Sequence, residues 1–420
     1  MTAFRFIHAA DIHLDSPLRG LDQYEGAPVE ALREATREAL GNLVDLAIDR
    51  EVDFVLIAGD LYDGAWKDYN TGLFFARQMA RLAGHDIRVY LIQGNHDAEN
   101  KMTRRLEWPG NVTSFSTKAP ESHAVSGLEV VIHGQGFATQ AVTDDLAANY
   151  PPAEPGAFNI GMLHTSVDGR EGHDSYAPTT LARLREHGYD YWALGHIHQR
   201  ECLHDAEPAI HFPGNIQGRH IRETGAKGCL VVEVDNARAV TVEFVPLDVV
   251  RWAEVEVDCS DADTLEDCLD AVGAALESAQ SSADGRLLAA RVVPTGASPA
   301  YGLLAAHPEQ LRQDVRARAL ECGGEGIWLE KVKNRTEPPA ESQPDLDGPL
   351  AEILAIASEW QESDAALAEI SEPIASMLGK VPVELRPDAK ALLEDPDSRA
   401  ALIDSARALV LARLGMAEES

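Results

Sequence analysis

The chain has 420 residues, a hydrophobic content of 45% and a net charge of −33. This hydrophobic content excludes a largely disordered chain, and no apolar run is long enough to span a membrane. The acidity disfavours a protein that binds nucleic acid through its overall charge, since no large segment of the chain is basic. The acidity is also explained by a need for high solubility or by an acidic or salty habitat. The length of the chain predicts two or three domains.

The five cysteines are scattered, odd in number and without a Cys-x-x-Cys pair. This pattern favours a reducing compartment and argues against a zinc ribbon or a disulfide framework. A cleavable signal peptide would remove Asp11 and His13, which the motifs below identify as candidate metal ligands. We therefore predict a cytoplasmic protein in which all five cysteines are buried as small hydrophobic residues.

Residues 1–250 alternate strand-like apolar runs with helical periodicity. A strand is predicted at 4–7, and an amphipathic helix follows it, with Leu32, Leu43 and Ala47 on one face. A second helix is predicted at 71–82. Further buried strands are predicted at 54–57, 89–92, 160–163 and 191–194. Later apolar runs at 130–132, 230–232 and 240–244 lack intervening helices and predict antiparallel strands. Together these patterns predict a layered α/β domain with mixed sheets and flanking helices.

The rest of the chain separates into three segments. Residues 251–336 read as a small α/β domain, with strands at 253–257, 287–293 and 327–332 and helices at 264–279 and 308–320. Residues 337–346 are rich in proline and acidic side chains and predict a linker. Residues 347–420 predict a helical carboxyl-terminal region.

Five short motifs each follow a predicted strand in the first 200 residues. They are Asp11-Ile12-His13, Gly59-Asp60, Gly94-Asn95-His96-Asp97, His164, and Gly195-His196-Ile197-His198. Loops at strand ends are where α/β sheets place ligands, and carboxylate, amide and imidazole groups together suit divalent ions. Each motif alone is weak, but five in order make a metal centre the better interpretation. Alternation along an extended segment lets His196 and His198 point the same way.

This ordered set of motifs resembles the calcineurin-like metallophosphoesterase family, over about the first 250 residues. The resemblance implies a layered β-sandwich and two divalent ions, of which we expect Mn²⁺ to support activity best. The implied ligands of one ion are Asp11, His13 and His198. The implied ligands of the other ion are Asn95, His164 and His196. The resemblance also implies that the carboxylate of Asp60 bridges both ions.

The same resemblance gives roles to the two residues after Asn95. His96 matches the histidine that acts on the leaving group, where a cation neutralises developing negative charge. Asp97 is expected to assist catalysis by orienting His96 or a neighbouring ligand. Two adjacent ions can generate a hydroxide at neutral pH and clamp the attacking and departing oxygens.

Three further segments resemble one particular group within this family. Residues 7–15 and 58–63 look like SbcD-type DNA repair exonucleases, and residues 212–223 look more like the YhaO branch of that group. The resemblance implies that residues 251–336 form a capping domain and that the helical region docks on an SMC-like ATPase of the SbcC or YhaN type. A homodimer is also left open. Asp63 stands where archaeal and eukaryotic relatives carry a second catalytic histidine.

Two local basic clusters are candidate contacts for the DNA backbone. One consists of Lys101, Arg104 and Arg105, and the other of Arg219, His220 and Arg222. For the first cluster, a solvated helix face is an equally good interpretation.

We therefore predict a two-metal DNA nuclease subunit that works with an ATPase in DNA repair. A calcineurin-like phosphodiesterase or phosphatase acting on a small molecule or a phosphoprotein is the alternative, and the net acidity favours it. A third interpretation is a scaffold that uses the fold to bind a partner. The complete ligand set argues against a scaffold, since such a protein would be free to lose ligands.

Overall fold

The computed structural model describes residues 1–16, 28–63, 69–98, 108–168 and 176–339. It also describes six helical positions further on, namely Glu352, Ala355, Ile356, Ile403, Ala406 and Val410. The basic cluster of Lys101, Arg104 and Arg105 lies outside the described residues, as does most of the predicted linker and helical region. The chain divides into two compact units. The first contains Met1–Ala253 and Gln280–Ala289, and the second contains Glu254–Ala279 and Ala290–Ser420.

The described part of the first unit holds twelve strands and four helices in chain order. The strands are β1 (Phe4–Ala9), β2 (Phe54–Ala58), β3 (Arg88–Ile92), β4 (Val112–Ser114), β5 (Glu121–Ala124), β6 (Val130–Gly134), β7 (Phe158–His164), β8 (Tyr191–Gly195), β9 (Glu201–Asp205), β10 (Ala209–Phe212), β11 (Gly228–Val234) and β12 (Val240–Pro246). The helices are α1 (Val29–Asp49), α2 (Tyr69–Ala83), the single-turn α3 (Asn95–Ala98) and α4 (Leu181–Glu186).

These strands form two six-stranded sheets. The first sheet has the order β12-β11-β1-β2-β3-β4, and the second has the order β5-β6-β7-β8-β10-β9. In the first sheet β1 to β4 run parallel, while β11 is antiparallel to β1. In the second sheet β6, β7, β8 and β10 run parallel between antiparallel edge strands.

The two sheets face each other across an aromatic core. The Phe6 and Phe54 rings stack in this core with centroids 5.0 Å apart, and Ile160 of the facing sheet belongs to the same cluster. Ile7 and Val55, one residue further along, pack against the helices on the outer face. Because both faces of these strands are buried, their sequences are continuous apolar runs, and each large side chain contributes about 2 kcal/mol.

The predicted layered α/β fold with mixed sheets is confirmed, with one correction to the strand pairing and one to the burial of the cysteines. The strand that begins at Val130 pairs in parallel with β7 as well as antiparallel with β5, because a 3-10 turn at Leu146–Asn149 lies on the crossover. The prediction that every cysteine is buried is wrong for Cys202, which is exposed, and for Cys322, which is half-buried. In the part of the chain that the structure describes, no helix is both long and apolar enough to cross a membrane.

The remaining elements form a smaller sheet with three helices. They are β13 (Val250–Asp258), α5 (Leu265–Ser282), β14 (Leu287–Ala297), α6 (Tyr301–Ala306), α7 (Pro308–Gly323), β15 (Ile327–Val332) and β16 (Arg335–Glu337). The sheet order is β13-β14-β15, and β16 pairs in parallel with β14. The sequence predicted five of these elements and missed the short α6 and β16, which are only six and three residues long.

Candidate metal centre

Seven polar side chains from the five motifs lie together at the carboxyl ends of β1, β2, β3, β7 and β8. Asp11 and His13 follow β1, Asp60 follows β2, and Asn95 begins α3 directly after β3. His164 is the last residue of β7, while His196 and His198 follow β8. The first five of these side chains are at most 4% exposed. Such a buried polar cluster is costly unless its members neutralise one another or bind an ion.

Asp11, His13 and His198 form one group of potential ligands. The Nε2 atoms of His13 and His198 are 3.1 Å apart, and His198 Nε2 is 3.8 Å from Asp11 Oδ1. Ligand atoms bonded to one ion at about 2.0–2.2 Å lie about 3 Å from each other, so this spacing fits a shared ion. The buried Nδ1 of His13 has no hydrogen-bond partner among the described residues.

His164 and Asn95 form a second group beside the first. His164 Nε2 is 3.0 Å from Asn95 Oδ1 and 3.4 Å from Asp60 Oδ2. The His196 ring centroid is 5.3 Å from that of His164. Asp60 Oδ2 is also 3.8 Å from His13 Nε2, so one carboxylate oxygen faces both groups. The chemistry and spacing of the donors therefore fit two cations that share Asp60.

Hydrogen bonds to backbone groups set the direction of three of the potential ligands, namely His164, Asp60 and Asp11. His164 Nδ1 donates to the carbonyl oxygen of Ala58 at 3.0 Å, which leaves Nε2 free to face Asp60. The backbone amide of His96 donates to Asp60 Oδ1 at 2.9 Å, so the other carboxylate oxygen remains available. The amide of His196 donates to Asp11 Oδ2 at 3.0 Å.

The backbone of the cluster is strained. Asp11, His13, Asp60 and His196 have φ angles of 51°, 45°, 50° and 103°, in the left-handed region that non-glycine residues rarely adopt. Such residues persist only where surrounding contacts hold them, and they are concentrated at functional sites. Gly94 is required for a different reason, because a Cβ there would lie 2.3 Å from Asp60 Oδ1.

The protonation equilibria follow from the packing of these charges. Burial raises the pKa of Asp60, but the imidazoles of His164 and His96 outweigh it and lower that pKa to about 2. Burial lowers the pKa of His164, but Asp60 outweighs it and raises that pKa to about 9. Burial and the charge of Arg219 hold the pKa of His13 well below its ordinary value. These opposite shifts favour a protonated His164 beside an ionised Asp60, and a cation bound to both side chains would displace the proton of His164.

His96 is held by Asp63 at the rim of the cluster. His96 Nδ1 lies 2.8 Å from Asp63 Oδ1, and the hydroxyl of Ser16 donates to Asp63 Oδ2 at 2.5 Å. The hydrogen bond to Asp63 raises the pKa of His96, although partial burial opposes it. Asp63, which the sequence marked only as a departure from distant relatives, therefore fixes the ring of His96 and favours its charged form.

No hydrogen bond or ion pair among the described residues joins Asp97 to the side chain of His96. Its carboxylate accepts hydrogen bonds from the backbone amides of Leu61 at 3.1 Å, Tyr62 at 2.9 Å and Gly94 at 3.0 Å. These bonds join the loop after β2 to the loop after β3, which carry Asp60 and Asn95. Of the two roles expected for Asp97, the geometry supports the positioning of the neighbouring ligand loops and gives no support to the orientation of His96.

Glu223 is a functional residue that sequence reasoning missed. Its carboxylate is 5% exposed and accepts a hydrogen bond from His198 Nδ1 at 2.6 Å. Burial raises the pKa of Glu223, but His198 and the guanidinium of Arg219 outweigh it and hold the pKa below its ordinary value. One feature of the sequence could have revealed Glu223: it ends the segment 212–223 and lies four residues after Arg219, a spacing at which the two side chains can pair.

The second basic cluster divides between interior and surface. Arg219 is 13% exposed and lies 3.1 Å from Glu223 Oε1 and 3.4 Å from Asp63 Oδ2. It therefore joins the groups behind His198 and His96, and the DNA contact predicted for it stays a prediction. His220 and Arg222 are exposed, as a contact for an external ligand requires.

The fold and the donor set agree with the comparisons to known proteins, which find a calcineurin-like phosphoesterase domain in this chain. The family of calcineurin-like phosphoesterases matches residues 4–200, and the middle domain of metallophosphoesterase YhaO matches residues 252–337.

Two individual proteins and one solved structure are similar to this chain. It is 40% identical over 265 residues to the uncharacterized metallophosphoesterase YhaO of Bacillus subtilis. The aligned residues cover 62% of this chain and 65% of that relative, which is less than two thirds of its length. This chain is 25% identical over 378 residues to the DNA double-strand break repair protein Mre11 of Methanopyrus kandleri, which is 82% of this chain and 74% of that relative. A solved dimetal phosphatase from Danio rerio aligns with a TM-score of 0.34 and 14% identity, over 56% of this chain and 93% of that chain.

Proposed function

We propose that this protein is a two-metal phosphodiester hydrolase that cuts DNA. The observation that carries the proposal is the pair of ligand groups at the strand ends, which share one oxygen of Asp60. Asp11, His13 and His198 would hold one ion, and Asn95, His164 and His196 the other. Oxygen and nitrogen donors without a thiolate suit Mn²⁺, which we propose as the preferred metal.

Two divalent ions at this position would supply a nucleophile at neutral pH and neutralise charge on the phosphate. The protein's own residues then have separate tasks. Asp63 holds His96 by one ring nitrogen and favours its charged form, so the other ring nitrogen can donate a proton to the leaving oxygen. Positioned proton transfer of this kind contributes about 10²–10⁴-fold to a rate. Glu223 and Asp97 keep His198 and the Asp60 loop in place.

The DNA substrate rests on the similarity to Mre11 and on two exposed side chains. His220 Nε2 lies 3.7 Å from Glu223, which contacts His198, and Arg222 directly precedes Glu223 in the chain. Both side chains would contact backbone phosphates near the site. Lys101, Arg104 and Arg105 would add contacts after the loop of Asn95. The Mre11 relative is described as a DNA double-strand break repair protein, and we propose the same process for this chain.

The assay that tests this proposal compares substrates with one enzyme preparation. Purified protein with Mn²⁺ is tested on labelled single-stranded and double-stranded DNA, cyclic nucleotides and an aryl phosphodiester. We expect DNA cleavage and about two metal ions per chain by elemental analysis. One ion or none in active protein would contradict the two-metal centre, whereas aryl ester cleavage without DNA cleavage would contradict the DNA substrate alone.

A phosphodiesterase or phosphatase for a small molecule or a phosphoprotein is the second candidate. The net charge of −33 favours it, because an acidic protein repels the DNA backbone. Preferential turnover of cyclic nucleotides or of a phosphopeptide in the same assay would support this candidate.

We also propose a cytoplasmic location, since none of the five cysteines is paired in a disulfide.

The carboxyl-terminal part of the chain suggests a partner. We propose that residues 251–336 form the capping domain and that residues 347–420 dock on the coiled coil of an SMC-like ATPase of the SbcC or YhaN type. Apolar residues recur there at helical spacing, and Val410, on one such stripe, is 36% exposed in a helix. Truncation after residue 340 should keep metal content and aryl ester hydrolysis but abolish the complex with the ATPase. Unfolding of the truncated chain, or full co-purification with the ATPase, would contradict the docking.

A further inference from the structure

A second cluster of metal-binding side chains lies on the hairpin of β9 and β10. Cys202, Asp205 and His211 each offer a ligand atom, and these atoms all lie within 4.8 Å of one another. None of the three belongs to the strand-end cluster. Cys202 and Asp205 are exposed, whereas His211 is 5% exposed.

The register of the hairpin explains how the three side chains meet. Cys202 pairs directly with His211, and Asp205 pairs with Ala209. The register shifts between Ile210 and His211, because Leu203 is an extra residue on β9. Without this bulge, residues 202 and 205 would point to opposite faces of the strand, since side chains alternate. The bulge therefore brings Cys202 and Asp205 to the face that carries His211.

The buried imidazole of His211 is a second, independent indication of a ligand. Its Nε2 atom is buried and has no hydrogen-bond partner among the described residues. The ring stacks on Tyr191 with centroids 5.8 Å apart, which restricts its orientation. A buried polar nitrogen without a partner costs about 1–3 kcal/mol, and a bound cation would remove this cost.

We propose that Cys202, Asp205 and His211 form a separate site for Zn²⁺ or a similar thiophilic divalent ion. The protein supplies three ligands, and water completes the fourth position because the site opens to solvent at Cys202 and Asp205. Thiolate, imidazole and carboxylate together select zinc-like ions, whereas the strand-end cluster has no sulfur ligand. Binding forms a metal–sulfur bond and releases the thiol proton to solvent. A tetrahedral ion holds ligand atoms about 3.5 Å apart, so small rotations of the two exposed side chains close the site.

Cobalt substitution in the full chain tests this site separately from the strand-end centre. Co²⁺ bound by a thiolate gives a charge-transfer absorption in the near ultraviolet, and Co²⁺ at the strand-end cluster cannot give it. We expect saturating Co²⁺ to produce this band in the wild-type protein and Zn²⁺ to remove it by competition. Cys202→Ser should abolish the band, and Asp205→Asn should lower the affinity for Co²⁺. Cys322→Ser is the matched control and should keep the band.

Each outcome decides the proposal. Absence of the band in wild-type protein at saturating Co²⁺, its survival in Cys202→Ser, or its loss in Cys322→Ser would overturn the site. Unchanged Co²⁺ affinity in Asp205→Asn would overturn the three-ligand set. Both Cys202 and Asp205 are exposed, so neither substitution threatens the fold. As a second measurement, Zn²⁺ should slow alkylation of Cys202 at least about tenfold by mass spectrometry while leaving Cys322 unaffected.

Discussion

The two units of the chain are both built from helices on sheets, but two buried carboxylates of the first unit, Asp11 and Asp60, differ from the buried carboxylate of the second unit and from arginine-paired ones such as Asp248. In the described part of the second unit, Glu330 is the buried carboxylate, and Arg291 neutralises it with two hydrogen bonds of 2.7 and 2.8 Å. In the first unit, Asp11 and Asp60 are buried beside each other and contact imidazoles, with no Arg or Lys contacting either carboxylate among the described residues. A carboxylate that needs an external cation indicates a binding site, whereas one with its own guanidinium indicates a structural pair.

The largest expected effect concerns Asp60. Asp60→Asn removes the oxygen that faces both ligand groups, so both ions should bind more weakly and activity should fall by at least about 10³-fold. Elemental analysis and hydrolysis of an aryl phosphodiester measure the two effects.

Glu330→Gln is the matched control from the second unit. Breaking its pair with Arg291 should lower the free energy of unfolding by about 3 kcal/mol, while metal content and activity stay unchanged. Equal metal loss in the two variants would show that the contrast between the units has no functional meaning.

The next effect separates metal binding from proton transfer. His96→Gln should keep two ions per chain but lower the rate of DNA cleavage by about 10²–10⁴-fold. An aryl ester with a good leaving group needs less protonation, so the loss with that substrate should be much smaller. A similar loss for both substrates would exclude proton donation by His96, and loss of metal would make His96 a ligand.

A smaller effect is expected at Glu223. Glu223→Gln removes the charge that orients His198, so metal affinity should fall by about 10–100-fold without unfolding the protein. Titration of the metal-free protein with Mn²⁺ measures the affinity. Glu243→Gln, which changes an exposed carboxylate paired with Arg50, is the control and should bind Mn²⁺ like the wild type. An unchanged affinity of Glu223→Gln for Mn²⁺ would show that the contact between Glu223 and His198 contributes to packing but not to metal binding.

The smallest effect tests a buried histidine of the same unit that has no part in the metal centre. His8 Nε2 donates to the carbonyl oxygen of Leu194 and Nδ1 accepts from the Tyr191 hydroxyl, both at 3.0 Å. Burial lowers the pKa of His8 from 6.5 to about 3. Below pH 6.5 the imidazole of His8 is therefore protonated in the unfolded chain but stays neutral in the folded chain. The free energy of unfolding then falls by about 1.4 kcal/mol per pH unit from pH 6.5 towards pH 3.

His8→Gln can keep one donor and one acceptor but does not titrate. Urea denaturation of both proteins between pH 7.5 and pH 4.5 should therefore show a weaker loss of stability for His8→Gln, whereas above pH 7 the difference should be constant. Parallel stability curves would show that His8 titrates alike in both states.

The sequence by itself determined the central strands, the long helices and the identity of the candidate ligands. Strands such as β2 and β7 are buried on both faces, so they appear as continuous apolar runs bounded by polar motifs. The candidate ligands follow these strands directly, and the carboxyl ends of neighbouring parallel strands meet at one edge. Local patterns of this kind are visible without knowledge of the fold.

Only the tertiary structure decided how the surrounding residues are used. Arg219 reaches Asp63 across 156 positions of sequence, and His198 reaches Glu223 across 25. The carboxylate of Asp97 binds backbone amides, which no side-chain pattern reveals. The bulge at Leu203 turns Cys202 towards His211, a juxtaposition that depends on strand register. Residues distant in sequence meet through packing and register, and local periodicity carries no information about either.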